Sequence, residues 1–172
     1  MSHAVQFYHD DVFLIDAVSA FIRAGYEEHA TIIVVVTEQH RKDLRTRFQK
    51  SDQAEIEATV MYIDAVELLS AFMVDGWPDQ TRFIAGLQPI LQQATLRGPI
   101  RIFGEMVAVL WAQGNTRGAI RLEDLWNELA ANYPFSLLCA YPMSSFPDQK
   151  ADLSFLQVCH SHTHVHLSEQ TR

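Results

Sequence analysis

Two segments of the chain, Thr31-Ile32-Ile33-Val34-Val35-Val36 and Phe135-Ser136-Leu137-Leu138-Cys139-Ala140, are apolar almost without interruption. A strand with one wet face alternates polar and apolar side chains. A strand that does not alternate must be covered on both sides, as in a parallel sheet sandwiched between helices. Val5 to Tyr8, Thr59 to Ile63 and Ile100 to Phe103 read as three further strands.

The intervening stretches have helical spacing. Leu14, Val18, Phe21 and Ile22 share a face, and Gly25 reads as the stop of that helix. Thr37 opens a charged helix through Leu44 and Phe48, followed by a polar connection over 50–58. Asp64 precedes a helix with Val66, Leu69 and Phe72, which Gly76-Trp77-Pro78 breaks. Asp79 precedes one with Phe83, Leu87, Ile90 and Leu91, in which Pro89 is expected to make a kink. Val107, Leu110 and Trp111 mark a short helix, and residues 117–132 a strongly amphipathic one with Leu122, Leu125, Trp126 and Leu129. Asp152 is the expected cap of a last helix through Phe155, Leu156 and Cys159. Strands alternating with helices predict a three-layer α/β/α fold with a mainly parallel central sheet and right-handed crossovers. The expected organisation is one domain over residues 1–167 and a polar, mobile tail over 168–172.

Charge narrows the function classes. Thirteen Lys and Arg against 21 Asp and Glu leave a net charge of −8, which disfavours direct nucleic-acid binding. No apolar stretch approaches the roughly 20 residues of a membrane helix, and the first residues carry no secretory leader pattern. Cys139 and Cys159 make no disulfide framework. A cytoplasmic protein with no membrane association is expected.

Ligands of open parallel sheets bind beyond the carboxyl ends of the strands. Those ends carry Tyr8, His9, Asp10 and Asp11, then Thr37 and Glu38, then Asp64, then Gly104 and Glu105, then Tyr141. Helix capping accounts for Asp10, Thr37 and Asp64. Glu105, directly after a buried strand, is not needed for capping and is the stronger functional candidate. The expected ligand site is therefore Tyr8, His9, Asp10, Asp11, Thr37, Glu38, Glu105 and Tyr141.

A phosphate cradle needs a glycine-rich turn and a lysine. The only lysines are Lys42, Lys50 and Lys150, none follows a glycine, and the turn Tyr8-His9-Asp10-Asp11 has two carboxylates and no glycine. ATP is not expected as a ligand. No Gly-x-Ser-x-Gly elbow is present, and spacing does not support pairing Cys139 with His9, so no catalytic residue is assigned. The end of the chain is unusual: His160, His162, His164 and His166 alternate after Cys159. Cys159, His160, His162 and His164, with His9 as an added candidate, could hold a transition metal; the alternative is a polar end with adventitious affinity.

Several segments together resemble the MEDS family of methanogen/methylotroph sensory domains. They are His3-Ala4-Val5-Gln6-Phe7-Tyr8, Phe72-Met73-Val74-Asp75-Gly76-Trp77-Pro78, Phe103-Gly104-Glu105-Met106-Val107, Leu122-Glu123-Asp124-Leu125-Trp126-Asn127-Glu128-Leu129, Phe135-Ser136-Leu137-Leu138-Cys139-Ala140-Tyr141-Pro142, and the closing Cys159, His162 and Val165. The resemblance implies a core similar to RecA/KaiC ATPases without the Walker A phosphate loop, and a sensor of small organic or hydrocarbon-like ligands. It also implies a histidine kinase or transcriptional regulator as signalling partner. The chain has no kinase region and no helix-turn-helix, so output is expected through a partner chain or a homo-oligomer. A stand-alone, non-enzymatic sensory domain is the leading expectation. A metal-binding sensor or metal-dependent enzyme using the Cys/His end, and a degenerate ATPase-like interaction scaffold, stay open beside it.

Overall fold

The computed structural model of the protein describes residues 2–146 and 153–167. The expected cap Asp152 and the 168–172 tail lie outside the described residues. Strand β1 (His3–Tyr8) leads to α1 (Asp11–Glu27), β2 (Thr31–Val36), α2 (Glu38–Lys50) and the single turn α3 (Ala54–Glu57). Next come β3 (Met61–Asp64), α4 (Ala65–Phe72), a small hairpin of β4 (Met73–Val74) and β5 (Trp77–Pro78), and α5 (Gln80–Thr95). The remainder is β6 (Ile100–Gly104), α6 (Met106–Ala112), α7 (Thr116–Ala130), β7 (Phe135–Pro142), α8 (Leu153–His160) and β8 (His164–His166).

The central sheet has six strands in the order β3-β2-β6-β7-β1-β8, and every pairing in it is parallel. Apolar residues of β2 are buried on both faces, as their unbroken run requires: Ile33 and Val35 pack into one core, Ile32, Val34 and Val36 into the other. Helices α1, α2 and α3 cover the second core through Leu14, Val18, Ile22, Leu44, Phe48 and Ile56. Helices α4 to α8 cover the first. There Phe83 sits edge-on to Phe72 and Trp126, with ring centroids 5.3 and 5.1 Å away, a geometry that adds quadrupole attraction to burial. The expected three-layer α/β/α architecture is the observed one.

Local departures have physical causes. Helix α1 does not stop at Gly25. It runs two residues further, and Gly25 is a contact point where a Cβ would lie 2.9 Å from Ile32 Cγ1. Helix α5 continues through Pro89 to Thr95. Gly76-Trp77-Pro78 does not merely break the chain: Asp75 and Gly76 both take positive φ, 50° and 75°, and turn the β4–β5 hairpin. Val66 and Leu156 face solvent rather than the core. The sixth strand, β8, comes from the histidine-rich end, which offers no apolar run to betray it.

Phe83 is fully buried between two aromatic edges. Phe83→Ala is expected to lower the unfolding free energy by about 3–5 kcal/mol, measured by urea denaturation; a loss below about 1 kcal/mol would show that the two aromatic edges are not a rigid part of the core.

Candidate functional site

Polar side chains gather in two places, one on each side of the sheet. The first follows from topology. After β2 the chain turns to α2 on one face, and after the adjacent β6 it turns to α6 on the other. Neighbouring strands whose connections diverge leave a crevice at their carboxyl ends. Glu105 fills it. Its N–H donates to Val35 O (3.1 Å), its Oε1 accepts from Thr37 N (2.5 Å), and its Oε2 lies 2.7 Å from His40 Nδ1. The other ring nitrogen, Nε2, is 3.3 Å from Asp11 Oδ2. Glu105 is only 3% exposed, whereas the Asp11 side chain is 63% exposed. The site thus grades from a dry carboxylate, through an imidazole, to a wet carboxylate.

His40 stands in the first turn of α2, where the helix dipole opposes a positive charge. The two carboxylates overcome this. The hydrogen bond to Glu105 chiefly, against the effect of burial, with the charges of Glu105 and Asp11 adding to it, raises the His40 pKa to about 9. Tyr8 is buried beside them, and burial, with the Glu105 and Asp11 charges, pushes its phenol above the usual range. It stays protonated and can donate. Between α1 and α2, next to Asp11, lies a groove of about 320 Å³ lined by Asp11, Val12, Ile15, Asp43, Thr46, Arg47 and Lys50.

Of the expected ligand residues, Tyr8, Asp11, Thr37 and Glu105 therefore come together, and His40 joins them. Thr37 is not a side-chain cap as expected; its backbone N–H serves Glu105 instead. Asp10 caps α1 through Phe13 N (2.8 Å), Glu38 pairs with Lys42 at the surface (3.1 Å), and His9 is exposed. Tyr141 does not converge with them. It points to the opposite face from Tyr8 because their strands pair in parallel with Phe7, not Tyr8, opposite Tyr141.

Tyr141 belongs to the second gathering, which is almost wholly dry. Its hydroxyl donates to Glu123 Oε1 (2.9 Å). The other oxygen, Glu123 Oε2, lies 3.1 Å from His3 Nε2, 3.1 Å from His162 Nε2 and 3.7 Å from Cys139 Sγ. Cys139 Sγ is 3.4 Å from His3 Nε2. Burial alone would raise the Glu123 carboxyl, but the adjoining His162 and His3 outweigh it and hold it down, at about 2. Burial and the Glu123 charge push the Cys139 thiol well up.

Of the expected metal residues only His162 is here. Cys159 is half-buried on α8 against the apolar core, and His160 and His164 face solvent. His9 is likewise absent; the histidine beside Cys139 is His3. Sequence reasoning missed His3, Glu123 and His40. Glu123 had a readable signal, since it interrupts the buried stripe of α7 formed by Ala119, Leu122 and Trp126.

The chain is thus an α/β protein with a six-stranded parallel sheet and a buried acid–imidazole pair at its switch point, and among the described residues no helix is long and apolar enough to cross a membrane. The family described as MEDS, the methanogen/methylotroph, DcmR sensory domain, matches residues 2–163. The chain belongs to this family of sensory domains. No curated protein resembles the chain closely enough to count as a match.

His40 gains its proton affinity on folding, so its contribution to stability is fully present below the unfolded histidine value, about pH 6.5, and is lost as pH rises through about 9. With screening of the partly exposed ring allowed for, the unfolding free-energy difference between the native protein and His40→Ala is expected to shrink by about 1–2 kcal/mol from about pH 6 to about pH 10. A difference that stays constant in urea titrations would show that His40 carries no excess charge in the folded state.

Proposed function

We propose that this chain is a cytoplasmic, non-enzymatic sensory module that takes a small organic molecule into the groove between α1 and α2. The observation that carries this reading is the Glu105–His40–Asp11 relay at the β2/β6 crevice, opening beside a groove of ligand size. Val12 and Ile15 offer apolar wall, and Lys50, the outer oxygen of Asp11, and Arg47, which also pairs with Asp16, offer polar ends. Such a lining suits a compact, mostly apolar molecule with one polar group. Asp11 is the member of the relay a ligand can engage without breaking the buried Glu105 contact, because it alone is well exposed.

Binding would act by favouring one arrangement of α1 against α2. The signal then passes to another chain, a histidine kinase or a transcriptional regulator, or through self-association. Nucleotide binding is disfavoured because the β1–α1 turn presents Asp10 and Asp11 and no glycine. Conversion of a RecA/KaiC-like edge from phosphate binding to small-molecule binding is consistent with these residues.

Thermal denaturation against a panel of short alcohols, aldehydes, halogenated alkanes and carboxylic acids tests the reading. A ligand at about 100 times its Kd adds about 2.7 kcal/mol, which for a chain of this size raises Tm by roughly 5–10 °C. The shift is expected to vanish in Asp11→Ala and Ile15→Trp and to persist in Gln88→Ala on the opposite face. Stabilisation that survives both groove variants would place the ligand elsewhere.

A further inference from the structure

The buried cluster on the other face has an electronic problem that a hydrogen count exposes. His162 Nδ1 lies 2.5 Å from Val158 O, an acceptor only, so this nitrogen carries the hydrogen and donates. His3 Nδ1 lies 2.8 Å from Asn127 Oδ1, and the Asn127 amide is oriented by its Nδ2 donating to Ser161 O (3.0 Å). His3 Nδ1 is therefore the donor as well. In both neutral rings the lone pair sits on Nε2, and both Nε2 atoms point at the same carboxylate oxygen, Glu123 Oε2, from 3.1 Å. The fourth neighbour is Cys139 Sγ. The His162 side chain is 0% exposed, yet its Nε2 makes no hydrogen bond. With both rings neutral, three electron-pair donors and a thiol would converge in a buried place with one hydrogen among them; a proton taken up on His162 Nε2, which the Glu123 charge favours against burial, is one way to relieve this.

A metal cation at the centre is the other way, and the convergence of all four donor atoms suits it. We propose that His3, Glu123, Cys139 and His162 form a divalent transition-metal site of the zinc class, built into the core and holding the C-terminal segment to the sheet. Tetrahedral zinc with Zn–N and Zn–O of about 2.0–2.1 Å and Zn–S of about 2.3 Å sets its donor atoms roughly 3.3–3.6 Å apart. Four of the six separations here are 3.1, 3.1, 3.4 and 3.7 Å, and the two from His162 to His3 and to Cys139 stay within 4.8 Å.

The surroundings are those of a ligand shell. Each histidine is fixed through its far nitrogen, one by a carbonyl and one by an amide, which sets the tautomer that presents Nε2 inward. Tyr141 holds the Glu123 oxygen that does not face the centre. Four protein donors and nearly complete burial describe a closed site, which stabilises or switches rather than catalyses. The donors come from β1, α7, β7 and the turn between α8 and β8, so occupancy ties the chain's beginning to its last described strand. This proposal stands on the cluster alone and is independent of the α1–α2 groove.

The test uses the full chain, prepared without a histidine tag. Elemental analysis is expected to find one zinc per chain, and cobalt(II) added to the metal-stripped protein is expected to give a thiolate-to-cobalt charge-transfer band. Cys139→Ser should lose that band. Asn127→Ala, which leaves every donor in place, should weaken cobalt binding by about 10–100-fold. The triple variant His160→Gln, His164→Gln, His166→Gln should bind as the native chain does. The absence of a thiolate band in the native protein overturns the proposal without recourse to any variant. Cobalt binding that is unchanged by Asn127→Ala, or that the triple variant abolishes, also overturns it, because the metal would then sit on the exposed histidines.

Discussion

A carboxylate that leaves water must recover its hydrogen bonds from the protein, or the fold carries the whole desolvation cost. Among the described residues two are buried, Glu105 and Glu123, one on each side of a parallel sheet. Each is satisfied by groups from elements far apart in sequence. Glu105 draws on the backbone of Thr37 and the ring of His40, which binds the end of β6 to the start of α2. Glu123 draws on Tyr141, His3 and His162, which binds α7 to β7, β1 and the C-terminal segment. The apolar sheet supplies most of the stability; these two groups fix how its ends are arranged. Removing one partner of either would strand a charge in low dielectric, which is why each arrangement is effectively all-or-none.

The two clusters differ in how they meet solvent. The Glu105 relay opens outward through His40 to the exposed Asp11, beside the α1–α2 groove. The Glu123 cluster is closed on every side, with a tyrosine, a cysteine and two histidines around one acid. A closed cluster suits a long-lived occupant. The two are compatible in one sensory domain because β1 carries Tyr8 at one end and His3 at the other, on opposite faces of the same strand.

The layers were legible in the sequence because their cause is local: β2 and β7 are apolar on consecutive residues, and only a sheet covered on both faces tolerates that. Asp10, Asp64 and Asp79 were legible as caps for the same reason, since each bonds an N–H three residues on. The sites were less so. Strand-end residues Tyr8, Asp11, Thr37 and Glu105 could be named from the rule for parallel sheets, but which face each side chain takes depends on register. Tyr141 went astray on that point alone. The alternating histidines suggested a shared set, whereas the α8–β8 turn sends His162 inward and leaves His160 and His164 outside. His3 and Glu123 lie 120 residues apart, and no local pattern joins them.

The least firmly held part of the sheet follows from the same geometry. Strand β8 is three residues long, lies at the edge and is exposed throughout. Its pairing with β1 is helped by few other contacts: Thr163 exchanges hydrogen bonds with the backbone of His3, and Gln6 Nε2 reaches His166 O at 3.3 Å. Short edge strands with solvent-exposed ladders open at low free energy. Among the described residues 161–167, His162 is the deeply buried one, and it is anchored to Glu123. Through His162, the buried Glu123 carboxylate therefore helps hold the strand that covers the edge of β1.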